Sequence, residues 1–224
     1  MDKVAIILPV YNEIEYLPAM IEALYNSTDF PFKLIVVDGF STDGTAEYCQ
    51  ALANADVMVN RNIELYQIPK KGLTNAINYG IKKAGKLDVY LTQADVIHFK
   101  LYRRDWLKEM YGIAQKKDVG LVMGIAGGGI SGPDYLKGQR WAGTWNTYLP
   151  KRTIKKVGFL DENMGPGDDI DYSYRVRKAG LGGFVCQFWV QHHRLTEHGN
   201  SDSKAKIKKM ARYFRKKHGI KNGK

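Results

Sequence analysis

The sequence has no apolar run near the roughly 18–20 residues that a helix needs to cross a bilayer. Its early apolar segment, VAIILPV at residues 4–10, is much shorter than that. The segment follows the acidic residue Asp2 and has no small-residue cleavage site, which argues against a signal peptide. We therefore expect a cytoplasmic protein.

Cysteine is scarce as well. The two cysteines, Cys49 and Cys186, have neither the spacing of a metal site nor that of a redox pair. Their scarcity fits a reducing compartment. A chain of 224 residues with 44% hydrophobic residues is nevertheless long and apolar enough to bury a sizeable core.

Acidic residues are almost missing from the C-terminal segment. Residues 201–224 contain ten Lys or Arg and one Asp, so they hold most of the net charge of +11. The rest of the chain is close to neutral, which weakens a nucleic-acid-binding interpretation of the whole protein. The segment also places Ile207, Met210, Ala211 and Phe214 on one helical stripe. Two interpretations stay open: a helix on an anionic membrane surface, or a terminal helix packed on the core.

Short apolar segments alternate with amphipathic ones in the first half. Continuous apolar runs at residues 4–8, 34–37 and 89–91 predict buried strands, and helical spacing follows in the segments between them. Such strands, separated by helices, favour the α/β class with a mostly parallel sheet covered on both faces.

Polar residues follow each of these predicted strands. Glu13 comes soon after the first, Asp38 directly after the second, and Asp95 soon after the third. One such residue is usually a turn or cap residue. Three at successive strand ends converge on one crevice, where α/β sheets bind their ligands.

A second acidic group lies in GPGDDIDYSYR, where Asp168, Asp169 and Asp171 fill three of four positions. A helix that begins here would stabilise these carboxylates through its dipole. Asp171 precedes Arg175 by four residues, the favourable order for a helical ion pair. The alternative is an acidic helix start with only a capping role.

The motifs LPVYNE, VVDGFSTDGT, GLTNAINYGI and LTQAD are followed by GFLDEN, GDDIDYSYR and VQHH. In this order they resemble the family-two glycosyltransferases of the GT-A fold, over residues 3–193. The resemblance implies one domain at 1–200, with a mostly parallel, helix-flanked sheet. Its Rossmann-like, nucleotide-sugar-binding half would be 1–95 and its acceptor and catalytic half 96–200, before the basic tail at 201–224. It also implies sugar transfer with inversion from a nucleotide-diphosphate donor to an acceptor hydroxyl, in glycan or polysaccharide synthesis.

The resemblance assigns residues to the donor, which would be a UDP-, GDP- or dTDP-sugar. Asp38 would hydrogen-bond the base alone, since Gly39 stands where the family often has a second Asp. Lys71 would lie near the diphosphate. The residues assigned to donor binding are Pro9, Tyr11, Glu13, Asp38, Lys71, Gln93 and Ala94.

The family usually uses a divalent metal, Mn²⁺ or Mg²⁺, and the resemblance implies Asp95 and His192 as its ligands. Asp95 matches the last carboxylate of the family's Asp-x-Asp motif, but Gln93 and Ala94 precede it, so the first carboxylate is missing. A hard cation can be held by one carboxylate with phosphate oxygens and water. It would stabilise the departing diphosphate. A purely structural role is the alternative for His192.

The resemblance places the general base, which takes the proton of the acceptor hydroxyl, at Asp169. It assigns Asp168 to the acceptor or the adjacent loop, and Asp171 with Arg175 to a brace within the helix. The acceptor would be a glycan or a lipid-linked molecule.

Trp141 and Trp145 are further acceptor candidates, because an indole ring can stack on a sugar, with core packing as the alternative. The segment from Gly124 to Gly143 contains seven glycines and predicts a loop; within it, GGGISG at 127–132 matches G-x-G-x-x-G, but Pro133 follows instead of a helix. Two other functions stay open. A nucleotidyltransferase shares such a sheet, although GDDIDYSYR and VQHH argue against it. The basic tail allows a nucleic-acid- or membrane-binding module with a degenerate transferase core, although we expect no nucleic-acid partner.

Overall fold

The computed structural model describes residues 3–59, 62–69, 72–100, 104–127, 143–165, 167–192 and 204–220. Three sequence predictions lie outside the described residues. They are the diphosphate contact of Lys71, the sugar contact of Trp141, and the part of the glycine-rich loop beyond Gly127. The predicted start of that loop at Gly124 is wrong, because residues 124–127 continue a strand that pairs with residues of a neighbouring strand.

Strands and helices alternate along the first half, as the apolar runs predict. The strands are β1 (Val4–Val10), β2 (Phe32–Asp38), β3 (Ile63–Gln67), β4 (Asp88–Thr92), β5 (Val96–His98), β6 (Val119–Gly127), β7 (Asn146–Leu149) and β8 (Gly182–His192). The helices are α1 (Leu17–Ser27), α2 (Thr45–Val59), α3 (Leu73–Lys83), α4 (Trp106–Ala114), α5 (Lys151–Val157), α6 (Asp168–Lys178) and α7 (Lys204–His218).

The strands form one sheet in the order β3-β2-β1-β4-β7-β6-β8-β5. Strands β1 to β4 pair in parallel, and so do β6 and β8. Strand β7 lies antiparallel between β4 and β6, and β5 is antiparallel to β8. The sheet is therefore mixed: its parallel half matches the prediction, whereas the short strands β5 and β7 were missed. The topology places the carboxyl ends of β1, β2 and β4 at one edge.

The core lies on both faces of the sheet, which explains why β1 is apolar at every position. Ile6 and Leu8 belong to one apolar cluster, which helices α1 and α4 cover, while Ile7 belongs to the opposite cluster under α3 and α6. Each such buried side chain contributes about 1.5–3 kcal/mol. A Cβ on Gly80 of α3 would lie 2.5 Å from Cγ2 of Ile7, so glycine allows α3 to approach the sheet closely.

The C-terminal helix α7 packs on α6. The ring of Phe214 lies 5.3 Å from that of Tyr174 between centroids. The Met210 side chain approaches Gly167, where a Cβ would meet its sulfur at 3.0 Å. Of the two interpretations of the tail, the structure thus favours a terminal helix packed on the core, although Ile207 at the end of the stripe is exposed. Across the described residues, no helix has the length and hydropathy that a membrane span requires.

Candidate active site

A cavity of about 360 Å³ opens beyond the carboxyl ends of β1, β2 and β4. It is at the edge where the sequence predicts a ligand. Its size is typical of small-molecule sites. Five of the predicted donor residues line it: Pro9, Tyr11, Glu13, Gln93 and Ala94. The other lining residues are Val10, Gly39, Ile68, Gly72, Leu73, Ala76 and Asp95.

The loops that follow β1 and β2 hold each other through hydrogen bonds between backbone and side chain. The Asn12 N–H donates to Ser41 Oγ at 2.9 Å, and the Glu13 N–H donates to Thr45 Oγ1 at 2.8 Å. In return, the Thr42 N–H donates to Asn12 Oδ1 at 2.9 Å. The polar STDGT segment at 41–45 therefore holds in place the loop after β1, whose residues Tyr11 and Glu13 line the cavity.

Asp38 is fully buried at the end of β2. Its carboxylate accepts hydrogen bonds from the backbone N–H and the hydroxyl of Ser41. It also accepts one from Gln67 Nε2, at 3.0 Å. These contacts make Asp38 a brace for the loop, while the neighbouring Gly39 lines the cavity. The predicted contact of Asp38 with a base stays a prediction.

The two predicted metal ligands lie side by side. The antiparallel pairing of β5 with β8 places Val96 opposite His192. Asp95, which precedes Val96, thereby approaches His192, with 3.4 Å between Oδ2 and Nδ1. Both side chains are buried, and Asp95 lines the cavity. Within the described parts of the chain, no group of three or more His, Cys, Asp or Glu is placed to hold a metal ion.

Trp145 lies next to this pair. Its ring meets the His192 ring edge to face, with 5.0 Å between centroids, and it packs against the apolar cluster below α1 and α4. The structure therefore shows core packing for Trp145 and a contact that orients His192. Its predicted stacking on a sugar stays a prediction.

Asp168 is the first residue of α6 and is buried. Its Oδ2 accepts a hydrogen bond from the Thr74 hydroxyl at 2.7 Å, and its Oδ1 accepts one from the Asp169 N–H at 2.8 Å. Burial raises the pKa of Asp168, the charge of Asp171 adds to this, and the two hydrogen bonds counteract it. Asp168 thus connects the start of α6 to the start of α3.

Asp169 is partly buried and lines a small second cavity with Thr147, Tyr172 and other residues. The Ile170 N–H donates to its Oδ1 at 2.7 Å. Burial, together with the charge of Asp168, raises the pKa of Asp169 to about 6. A pKa near 6 suits proton transfer near neutral pH.

Asp171 forms an ion pair with Arg175 within α6. Arg175 donates to its Oδ2 at 2.7 Å and to the carbonyl oxygens of Val157 and Phe159, each at 2.9 Å. Burial alone would raise the pKa of Asp171, but hydrogen bonds from Lys217, His218 and Arg175 lower it below its usual value. Asp171 is therefore a charged structural group and is not poised to move a proton.

Sequence reasoning missed Thr74, Lys217 and His218. Thr74 lies in the GLTNAINYGI motif, directly after the cavity residue Leu73, and a polar residue in a first helical turn was the available signal. Nothing in the local pattern of the tail indicated that Lys217 and His218 reach Asp171.

The fold is that of the GT-A glycosyltransferases. It is similar to the solved structure of the mannosyltransferase PcManGT from Pyrobaculum calidifontis in complex with GDP-Man and Mn²⁺, with a TM-score of 0.76. The two chains are 20% identical, and the match covers 99% of this chain and 65% of that one.

Glycosyl transferase family 2 matches residues 5–169, so the chain belongs to that family and the resemblance inferred from the motifs is confirmed. Glycosyltransferase GlyG of Streptococcus pneumoniae is 30% identical over 123 residues, which are 55% of this chain and 38% of that protein. Succinoglycan biosynthesis protein ExoA of Rhizobium meliloti is 27% identical over 197 residues, which are 78% of this chain and 58% of that protein. The chain thus spans about half the length of these relatives.

Proposed function

We propose that the protein is an inverting glycosyltransferase that moves a sugar, such as a hexose, from a nucleotide-diphosphate donor to an acceptor hydroxyl. The observation that carries this proposal is the ligand-sized cavity at the strand ends, which five of the predicted donor residues line, together with the position of Asp169 in the first turn of α6. Membership of family 2 supports the reaction class.

The donor would enter the cavity beyond β1, β2 and β4. Tyr11 offers an exposed ring at its wall, and Gly39 leaves space beside that ring. Asp38 would act on the nucleotide through the loop that it braces, in addition to its predicted contact with the base. The complex of PcManGT with GDP-Man supports a nucleotide sugar as the donor, with GDP, UDP and dTDP as the candidate nucleotides.

Asp169 would be the general base. As the acceptor oxygen forms its bond to the anomeric carbon, the bond from that carbon to the diphosphate oxygen breaks on the opposite face. The acceptor proton passes to the Asp169 carboxylate. A pKa of about 6 keeps most of this carboxylate charged at pH 7, and it retains more basicity than an ordinary aspartate. Asp168, held by Thr74, would position the first turn of α6.

Asp95 and His192 fit a divalent ion, Mn²⁺ or Mg²⁺, since they offer an oxygen and a nitrogen donor beside the cavity. Donor phosphates and water would supply the remaining oxygens, because Mg²⁺ needs only one or two protein carboxylates. When bound, the ion would act as a Lewis acid on the departing diphosphate. The Mn²⁺ in the PcManGT complex supports this choice.

The acceptor would be a glycan or a lipid-linked molecule, and the name of the relative ExoA supports polysaccharide synthesis. We propose a cytoplasmic location. Contact with an anionic membrane would involve the exposed cations of α7, because Met210 and Phe214 of the stripe pack on α6. Exposed cations on this helix include Lys206, Lys208, Lys209, Arg212, Arg215 and Lys216.

A thermal-shift panel of UDP-, GDP- and dTDP-sugars, with and without Mn²⁺ or Mg²⁺, tests the donor. A ligand at a hundred times its Kd stabilises the folded state by about 2.7 kcal/mol. This corresponds to a rise in Tm of about 5–10 °C for a protein of this size. A parallel assay for released nucleoside diphosphate and glycosylated acceptor tests the reaction.

Adding nucleoside triphosphates to the panel separates the alternatives. A nucleotidyltransferase would be stabilised by these triphosphates and would release pyrophosphate. A degenerate transferase would bind a nucleotide sugar without turnover on any acceptor. If no nucleotide sugar raises the Tm under either metal condition, the proposed function is wrong.

A further inference from the structure

Two consecutive residues at the end of α7 contact the carboxylate of Asp171. His218 Nε2 lies 2.7 Å from Asp171 Oδ1, and Lys217 Nζ lies 2.8 Å from the same oxygen. Asp171 itself is fully buried, and Arg175 occupies its other oxygen. The buried carboxylate of Asp171 therefore contacts Arg175 of its own helix α6 and two residues of α7. These contacts fix the position of α6 relative to α7.

Further contacts along α7 reach the same helix. The His218 ring packs on Tyr174, with 4.3 Å between centroids, and Met210 contacts Gly167. Gly167 immediately precedes α6 and has a φ of 111°, where a side chain would be strained and would also meet Met210. Helix α7 therefore contacts α6 from the residue before its first turn to its middle.

Lys217 also anchors the segment that leads into α6. Its Nζ lies 2.7 Å from Asp161 Oδ2, and the Tyr213 hydroxyl donates to the same oxygen at 3.0 Å. Burial would raise the pKa of Asp161, but these hydrogen bonds, with one from the Asn163 N–H, lower it to about 2. One ammonium group thus joins two carboxylates, one on each side of the start of α6.

We propose that α7 is a positioning element for the general base, with Lys217 and His218 as its positioning residues. This inference rests on the proposed function, because it assigns to α7 the task of holding Asp169 where it can accept the proton. Asp169 lies two residues before Asp171, within the turn that Lys217, His218 and Met210 hold. Among the residues that the structure describes, none of those lining the donor cavity belongs to α7.

The placement makes a specific kinetic prediction. A shift of about 1 Å in a catalytic group can lower turnover about a hundredfold. Loosening α7 should therefore reduce kcat. The KM and Kd of the donor should stay unchanged, because the residues that line the donor cavity lie in β1, in α3 and in the segments that follow β1 to β4. A merely structural helix would lower stability without this separation of kcat from donor binding.

The test uses the full chain with Lys217→Met and His218→Phe, singly and together. Phenylalanine keeps an aromatic ring against Tyr174 but removes the hydrogen bond to Asp171. Lys216→Met is the matched control, because it removes the same charge from an adjacent, exposed position. We expect kcat to fall about 10- to 100-fold in the double variant, with a donor Kd within twofold of the parent. Lys217→Arg should restore most of the loss relative to Lys217→Met.

Combining these substitutions with Asp169→Asn distinguishes the positioning role of α7 from the proposed role of Asp169 as general base. If α7 acts through Asp169, the α7 substitutions should cause little further loss in that background, because residues that act as a unit are not additive. If Asp169→Asn alone leaves turnover intact, the proposed function loses its base. If Asp169→Asn abolishes turnover while the α7 variants keep the parental kcat, or lose kcat and donor affinity together, the positioning role is wrong. Should the double variant not fold, the single variants and Lys217→Arg decide by the same criteria.

Discussion

Replacing Asp169 by asparagine distinguishes the contribution of this carboxylate to the rate of the reaction from its effect on the stability of the folded protein. Asparagine keeps the shape and an oxygen that can accept the hydrogen bond from the Ile170 N–H, but it cannot take up a proton. We expect transfer to fall roughly 10²–10⁴-fold, the usual contribution of a positioned base. Donor binding should be unchanged, because Asp169 does not line the donor cavity.

The same substitution should stabilise the protein at neutral pH. Burial and the charge of Asp168 raise the pKa of Asp169 from 3.8 to about 6. The folded state therefore holds this proton more tightly than the unfolded chain. The resulting stability is fully present below the unfolded pKa of 3.8 and is lost as the pH rises through about 6. Each pKa unit corresponds to about 1.4 kcal/mol, which sets an upper limit of about 3 kcal/mol. Solvent around the partly exposed side chain reduces this to about 1–2 kcal/mol.

Thermal unfolding at several pH values measures this effect. Asp169→Asn should unfold near the parental Tm at about pH 4 and about 2–8 °C above it at about pH 8. Asp171→Asn is the control with the opposite sign, since the pKa of Asp171 is lowered and its loss should destabilise the protein at neutral pH. Turnover of Asp169→Asn within threefold of the parent would remove Asp169 from the mechanism. A Tm gain that does not depend on pH would show that its pKa is not raised.

Four further results are expected. The kcat/KM of the parent should rise about tenfold between pH 5 and pH 7, because Asp169 must lose its proton with a pKa of about 6; a flat profile would contradict its role. EDTA or Asp95→Ala should abolish the additional rise in Tm that the donor causes when the metal is present. If this rise survives both changes, Asp95 does not bind a metal. Thr74→Val should lower stability by about 1–3 kcal/mol, measured by urea unfolding, since it removes a hydrogen bond to Asp168; an unchanged midpoint would mean that the bond contributes nothing. Flotation with anionic vesicles at low salt should recover more of the full chain than of a variant with Lys208, Lys209 and Arg212 replaced by glutamine, and equal recovery would exclude these exposed cations as the membrane contact.

Much of the parallel half of the fold could be predicted from the sequence. Strands buried on both faces, such as β1, are apolar at every position, and this signal is local. Strands β5 and β7 have three and four residues, too few to show a period. Their antiparallel partners lie far away in the sequence, so no local pattern indicated where they belong.

The candidate site divides in a similar way. The order of the motifs predicted the donor-cavity residues and the neighbours Asp95 and His192. Contacts between elements that are distant in the sequence were not predictable, as for Lys217 with Asp171 and Thr74 with Asp168. A lysine in a basic helix has the same local signature whether it faces solvent or a buried carboxylate. Only the packing of the two helices distinguishes these cases.

The pairing of β5 with β8 has a consequence for how the protein acquires its site during synthesis. The parallel strands β1 to β4 follow one another closely in the chain, so the wall of the cavity at their carboxyl ends can form while later segments are still being translated. Asp95 emerges with that half, but His192 is the last residue of β8. Closing so long a loop is a slow, non-local step. The nascent chain can therefore form this cavity well before Asp95 meets His192.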